Sequence, residues 1–505
     1  MSANSFSRDS LISQAKDPAV EWDVIVIGGG ASGLATAWDA VSRGLRVALV
    51  ERSDFAKATS SRSTKLVHGG VRYLQKGEIG LVREALRERK RLLDNAPEFA
   101  QPLRFVLPTT HVLGRYYYRL GMLMYDLLAG RAGIERAELL SETETRKRLP
   151  GICLDRLKGG VGYSDAQFDD AALAIAMAQA VCSSGGVALN YVAVEKLLFE
   201  PNKGRICGVQ VADRETGETW EMRAGVVINA TGIFSDALRE DNRVSPKWSV
   251  RTSRGSHVVC PRRVLPGDHA LIIPKTQDGR VLFAIPWKQH VVIGTTDVPT
   301  DGPVYDPKPS REEAGFILEE AGRALGISAA DVTSQWSGLR PLVSRAKVKS
   351  TAALSRKHII EVSPEGLVSV LGGKWTTCRK MGEDAIDAAV EVGSPKAGDS
   401  TTADRRLTKH GARVPLGNLL GESADEFAED ELRARVIEAC RFGFARTLED
   451  VLMRRMRVLQ LNALAAMRLA PPVAEAMAEE LGWDDRETAE QASGFLRAAE
   501  DYLPD

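Results

Sequence analysis

No C-x-x-C pair occurs anywhere in the 505 residues. The six cysteines (Cys153, Cys182, Cys207, Cys260, Cys378, Cys440) are widely scattered. That spacing indicates neither a zinc site nor a disulfide framework, no metal is expected, and a reducing compartment is the default. A charge excess is missing too: 67 Lys+Arg balance 67 Asp+Glu, so no global basic field argues for nucleic acid. No apolar run is long enough to span a bilayer, because the longest uncharged stretch, between Asp170 and Glu195, is split by Ser183-Ser184-Gly185-Gly186. The opening residues, MSANSFSRDSLISQAKDPAVEW, lack the apolar core of a signal peptide and read as a loose lead-in to the first strand. No internal repeat is evident.

What is there is the pattern of a soluble globular chain, 44% hydrophobic and 27% charged, long enough for two to four domains. Its organising stretch is Asp23–Gly33, DVIVIGGGASG. Val24–Ile27 is a short buried strand, followed by Gly28, Gly30 and Gly33 in G-x-G-x-x-G spacing and by a helix that stops at Gly44. The first glycine permits a tight turn, the second close approach of backbone to a pyrophosphate, and the third close helix–strand packing. The helix start, at Gly30, Ala31, Ser32 and Gly33, offers unpaired N–H groups to phosphate oxygens. A second strand, Arg46–Val50, ends in Glu51, an acid about 20 residues on that suits a ribose hydrogen bond. The stretch is a dinucleotide site.

The rest of the chain returns to that site. Asp54–Gly77 is an irregular loop rich in hydroxyls, bases and glycines. A charged helix over Ile79–Asn95 has the alternating signs of a solvated face. Phe99–Pro108 and His111–Gly114 resemble strands leading into another domain. Tyr116–Ala129 is an aromatic amphipathic segment flanked by Arg115, Arg131 and Arg136, which suits a membrane-surface helix or a helix packed between domains. Val226–Ala230 with Thr231-Gly232 and Gly366–Lys380 (GLVSVLGGKWTTCRK) are each a buried strand followed by a glycine turn, so the nucleotide domain is discontinuous. Lys247–Thr296 carries alternating patterns of an antiparallel sheet. Gly393–Asp404 reads as a linker, and Ala424–Pro504 as almost wholly helical.

These motifs resemble the FAD-dependent, respiratory sn-glycerol-3-phosphate dehydrogenases. VIGGGASGLATA, DFAKATSSRSTKLVHGGVRYL, MYDLLAG, YSDAQFDDAAL, VINATG, GSHVV, IPW, IGTTDV, SGLRPLV, LGGKWTTCRK and ARTLEDVLMRR carry the resemblance over nearly the whole chain. The resemblance implies an α/β fold with a discontinuous Rossmann-like FAD-binding domain (20–98, 160–245 and 345–395). An antiparallel-sheet substrate domain (99–159 and 246–344) and a C-terminal all-helical domain (401–505) complete it. It implies oxidation of glycerol 3-phosphate to dihydroxyacetone phosphate, with electrons passing through FAD to membrane quinone. The implied place is the cytoplasm, peripherally on the inner face of the cell membrane; a homodimer is left open. A related FAD-dependent amino-acid or 2-hydroxy-acid oxidase is the alternative, although that site needs one Arg for a carboxylate rather than several cations for a dianion.

Oxidising an alcohol carbon with flavin needs a base for the hydroxyl proton and cations for the phosphate. Arg340 and Arg356 are expected on the phosphate, since a guanidinium fork meets phosphate oxygens bidentately. Arg72 and Lys374 are expected over the reacting carbon and flavin, with Tyr73 and Asp297 in the substrate site. His257 is the candidate base; Asp297, or Lys374 with a shifted pKa, is the rival. Thr59, Ser60, Ser61, Lys65, Leu66, Val67 and His68 are expected to wrap the flavin and pyrophosphate, Gly232 to close the second return, and Gly373 to bring a helix start to the flavin's pyrimidine edge.

Overall fold

The computed structural model describes residues 6–70, 74, 77–242, 244, 246–345, 357–393, 396–410 and 429–504. Its first sheet has the strand Trp22–Ile27 at its centre, with Val24, Ile25 and Val26 fully buried. This strand runs parallel to Val47–Val50 on one side and to the second half of Thr219–Asn229 on the other. Continuous β-branched runs of this kind suit strands covered on both faces. Val187–Leu189 extends one side; Val368–Leu371 extends the other, with Ile359–Val362 antiparallel at the edge. The two expected returns are thus strand neighbours, and three turns gather at one edge, after Ile27, Asn229 and Leu371. Helices Ala31–Ser42, Asp170–Ser183 and Cys378–Val392 pack side by side against this layer.

The second sheet has ten strands, mostly antiparallel, and its spine pairs Ser249–Pro261 with Ser334–Ser344. Register puts Ser253 opposite Arg340, Gly255 opposite Gly338 and His257 opposite Trp336. Because side chains alternate along a strand, all six share one face. A single parallel pairing, His269–Ile273 against Ala100–Pro108, departs from the antiparallel expectation.

The structure differs from the sequence reading at several places, each for a physical reason. Gly160–Phe168, expected to reopen the nucleotide domain at residue 160, pairs along its length with Ala100–Pro108 in the second sheet. Its composition is buried on both faces, so no two-residue period marks the sheet it joins. Residues 111–114 are not a strand; they open the helix Val112–Ala129. The lead-in contains a helix, Arg8–Lys16, whose Arg8 donates to Asn190 O at 2.7 Å and Asp213 Oδ1 at 2.9 Å. The helix Ile79–Asn95 forms, but its face is not wholly solvated: Glu88 pairs with Arg379 at 2.7 Å, and Arg89 with Asp165 at 2.8 Å, all buried. The expected linker is pinned to the nucleotide domain, with buried Thr402 donating to Asp39 Oδ1 at 3.0 Å and Asn95 Nδ2 donating to Ala403 O at 2.7 Å.

The tail forms its own core of Val436, Leu452, Leu459, Leu469, Val473, Met477 and Phe495, which continues into Trp336 and Val259 of the second sheet. Helices Glu429–Arg441, Ala463–Leu481 and Asp485–Ala499 supply it, with a widened π-type turn at Asp450–Arg455.

Candidate active site

At the glycine turn, two positions admit no side chain. Gly28 has φ +106°, and a Cβ there would lie 2.7 Å from Ala230 O; one at Gly33 would lie 1.9 Å from Gly28 O. Gly30 caps the helix Ala31–Ser42, with Ser32 in its first turn, and Ala31 N–H donates to Ser60 Oγ at 2.9 Å. The Glu51 carboxylate braces the turn, accepting Gly29 N–H at 2.7 Å and Ser53 N–H at 2.9 Å, while burial pushes its pKa up. Gly232, at φ +59°, heads the short turn Gly232–Phe234 just beyond the Ala230–Thr231 backbone that Gly28 packs against.

Hydrogen bonds join three loops remote in sequence. Thr59 Oγ1 donates to Leu339 O at 2.6 Å, Trp375 Nε1 to Ser60 O at 2.8 Å, and Thr376 Oγ1 to His68 O at 3.4 Å. Gly372 and Gly373 sit at φ +72° and +83°, turning the strand Val368–Leu371 into Trp375–Thr377 and the helix behind it. Gly372 of this turn, two residues before Lys374, packs against Val343 and Pro341 at the end of the Arg340 strand. Leu66 and Val67 leave the loop to pair with Gln167 and Ala166. Ser61 Oγ is buried without a hydrogen-bond partner among the described residues. A cradle with no room for side chains, helix N–H groups at two turns and an orphaned hydroxyl fits an extended FAD.

Lys65, expected on the cofactor, is instead committed to the protein. Its ammonium donates to Ser61 O at 2.7 Å and Asp170 Oδ2 at 2.8 Å and sits between the Trp287 and Trp336 rings. Burial, and then the Arg457 guanidinium, pull its pKa well below the usual lysine range.

On the substrate side, Arg340 Nη2 donates to Thr295 Oγ1 and to Thr296 O, both at 3.0 Å, and Nη1 lies 3.5 Å from Asp297 Oδ1. Gly255 makes this seat: a Cβ there would fall 2.3 Å from Arg340 Nη2. His257 is buried, stacked on Trp336 at 4.1 Å, with Nε2 3.0 Å from Thr64 Oγ1 and Nδ1 without a hydrogen-bond partner among the described residues. Burial lowers its pKa well below the usual histidine value, and the Arg340 and Lys65 cations lower it further, so the ring is neutral. The structure thus brings Arg340, Asp297 and His257 together, whereas Arg72, Tyr73 and Arg356 lie outside the described residues.

Sequence reasoning missed Thr64, Trp336 and the buried chain behind His68. In that chain Gly69 N–H donates to Tyr125 Oη at 2.9 Å, Tyr125 Oη to Asp165 Oδ2 at 2.8 Å, and Asp165 pairs with Arg89. Trp336 had a signal: it stands four residues before Arg340, on the same face by alternation. Tyr125 had only its place in MYDLLAG.

A cradle of this kind beside a cationic antiparallel sheet defines a flavin-dependent oxidoreductase; a family model described as FAD dependent oxidoreductase matches residues 23–379, and the C-terminal domain of alpha-glycerophosphate oxidase matches 398–488. The mitochondrial glycerol-3-phosphate dehydrogenase of Bos taurus is 37% identical over 97% of this chain and 75% of its own length; that of Homo sapiens is 37% identical over 93% and 72%. The chain belongs to the FAD-dependent glycerol-3-phosphate dehydrogenase family. Among solved structures, the glycerol-3-phosphate dehydrogenase from Bacillus halodurans complexed with FAD has a TM-score of 0.76 at 29% identity, covering 99% of both chains. The L-alpha-glycerophosphate oxidase from Mycoplasma pneumoniae, at 18% identity and TM-score 0.58 over 77% of this chain and 99% of that one, shares the fold.

Proposed function

We propose that this FAD-dependent glycerol-3-phosphate dehydrogenase takes a hydride from C2 of sn-glycerol 3-phosphate and passes the electrons to a membrane quinone, leaving dihydroxyacetone phosphate. FAD supplies the electron sink when bound. The observation that carries the reading is the Arg340 seat, a guanidinium fixed by two threonine oxygens on the face shared with His257. Arg340, with Arg356 and Lys374, binds the phosphate dianion; Arg72, Tyr73 and Asp297 position the glycerol carbons. His257 accepts the C2 hydroxyl proton. Burial holds its proton affinity low and the Arg340 and Lys65 charges lower it further; a dianion bound at Arg340 offsets part of that field and raises it. Substrate phosphate thereby switches on its own base.

An anaerobic titration tests this. Glycerol 3-phosphate should bleach the flavin bands of the yellow protein, whereas glycerol and D-alanine should not. Bleaching by an amino acid but not by the phosphate ester would sink the reading in favour of an oxidase.

The acceptor side rests on the helix Val112–Ala129. Met122, Tyr125 and Ala129 face inward, while Leu113 (82% exposed), Tyr116, Tyr117, Leu120, Leu123, Met124 and Leu127 (80% exposed) face outward. No helix among the described residues is long and apolar enough to cross a membrane. An outward apolar stripe bordered by Arg115, Arg131 and Arg136 suits peripheral seating in an anionic bilayer on the inner face of the cell membrane, where a quinone dissolves. Vesicles of anionic lipid containing quinone should sediment the protein and accept its electrons. Leu120→Glu with Leu127→Glu should abolish both while reduction of a soluble dye persists. Undiminished sedimentation would remove the helix from this role.

A further inference from the structure

The substrate domain also reaches over the nucleotide site, through the loop that follows the strand Val298–Thr300. Tyr305 of this loop stacks on Phe234 with ring centroids 4.4 Å apart and planes 28° from parallel. Phe234 closes the turn that begins at Gly232, just beyond the Ala230–Thr231 backbone that packs on Gly28. Arg52, next to the brace Glu51, sets its guanidinium over the Tyr305 ring, 5.7 Å from the centroid. The next residue, Asp306, accepts Arg62 Nη2 at 2.5 Å and lies 3.7 Å from Lys57 Nζ, tying the loop to both ends of the segment that carries Thr59–Ser61. Farther on, Lys308 pairs with Asp501 of the helical tail at 2.5 Å.

One aromatic pair therefore joins three pieces of chain around the edge at which Glu51 and the glycine turn receive ribose and pyrophosphate. Burial and the nearby Glu51 carboxylate push the Tyr305 phenol up to about 12, in keeping with a ring held against that end of the site. From this juxtaposition we infer that Tyr305 and Phe234 form a strap over the adenosine–pyrophosphate end of the FAD, anchored by Asp306 and slowing cofactor escape. The strap comes from the substrate domain, so cofactor retention is coupled to the docking of the two sheets. It takes no part in the oxidation step.

The test reads cofactor release from the loaded protein by ultrafiltration after dilution, with filtrate FAD measured by its fluorescence. Tyr305→Ala should release FAD about tenfold faster, the loss expected for one desolvated aromatic pair. Phe234→Ala should match it, and the double variant should add little, because each single change already breaks the stack. Tyr305→Phe keeps both rings and should release FAD at the wild-type rate. Thermal unfolding with and without added FAD separates retention from a merely structural role: the stabilisation by FAD should shrink in Tyr305→Ala. An unchanged release rate in Tyr305→Ala, or equal acceleration in Tyr305→Phe, overturns the strap. The substrate reading stands or falls separately, on bleaching of the wild-type flavin by glycerol 3-phosphate.

Discussion

Replacing Arg340 by Ala should lower kcat/KM for glycerol 3-phosphate by roughly 10- to 100-fold, the loss expected when a charge-assisted contact of about 1.5–3 kcal/mol is removed. The size follows from how the guanidinium is held. One nitrogen is fully engaged by Thr295 and Thr296, which fixes the plane of the fork. The other lies 3.5 Å from Asp297 Oδ1, too long for a good hydrogen bond, and Asp297 is itself engaged by the Ser253 hydroxyl. A phosphate dianion arriving there meets a guanidinium whose plane is already fixed, so the charge-assisted contact forms in a set orientation. Lysine should not rescue the variant, because one ammonium cannot keep the threonine contacts and also present a planar pair of donors. Gly255→Ala should shift the constant in the same direction without touching any charge, since its methyl would occupy the space of Nη2. Steady-state kinetics with a soluble dye acceptor checks both. If kcat stays constant while KM rises, Arg340 contributes equally to ground and transition states; a fall in kcat as well places part of its effect in the transition state, through the His257 proton affinity. An unchanged kcat/KM removes Arg340 from the site.

The features legible in the sequence were those written in local pattern. DVIVIGGG, VVINATG and VSVLGG each pair a strand buried on both faces with a glycine turn, and burial on both sides is what forces the β-branched run. Their assembly into neighbours, with Val24 opposite Val226 and Ile228 opposite Val368, follows from that shared signature. The seat of Arg340 was half legible. Its motif pointed to phosphate, and alternation would have added Trp336, but Thr295 and Thr296 come from the connection between the strands His290–Gly294 and Val298–Thr300, whose place no single-strand pattern carries. What could not be read were the buried charges. Lys65 looked like a cofactor ligand because no counter-charge stands near it in sequence; Asp170 is 105 residues away and Arg457 holds that same carboxylate from the tail. In the helix Ile79–Asn95 the alternating signs were read as solvated, yet Glu88 and Arg89 pair inward with Arg379 and Asp165, because the opposite charges lie on other elements. Charge alternation reports a helix but not which of its faces is wet.

The largest loss of stability is expected at Asp54, three residues beyond Glu51 and five before Thr59. Its carboxylate receives Arg454 and both nitrogens of one edge of Arg455, reached across 401 positions of sequence, and Asn190 Nδ2 donates to it at 3.2 Å. Arg454 has further partners in Glu449 at 2.5 Å and Asp450 at 2.6 Å, whereas Arg455, among the described residues, otherwise donates only to Gly443 O. Asp54→Ala therefore leaves a buried guanidinium without a counter-charge, a change that costs about 3–5 kcal/mol and lowers Tm by on the order of 10 °C. The pH dependence has a definite sign. Burial alone would raise the Asp54 pKa, but Arg455 and Arg454 outweigh it and hold the carboxyl below its ordinary value. Its contribution is thus present above the unfolded pKa of about 3.9 and is lost as pH falls through the lower folded value. Between pH 7 and pH 5 the stability gap between wild type and Asp54→Asn should be constant, and it should narrow below about pH 4 as the wild-type carboxyl is also protonated. Denaturant melts at these pH values decide it, and a gap absent at pH 7 would show that the pair is not what joins the tail to the nucleotide domain. Because Asp54 opens the loop that carries Thr59–Ser61, the first visible consequence should be a lower fraction of protein purified with bound FAD, ahead of any change in turnover per flavin. The helical tail acts on catalysis by holding that loop.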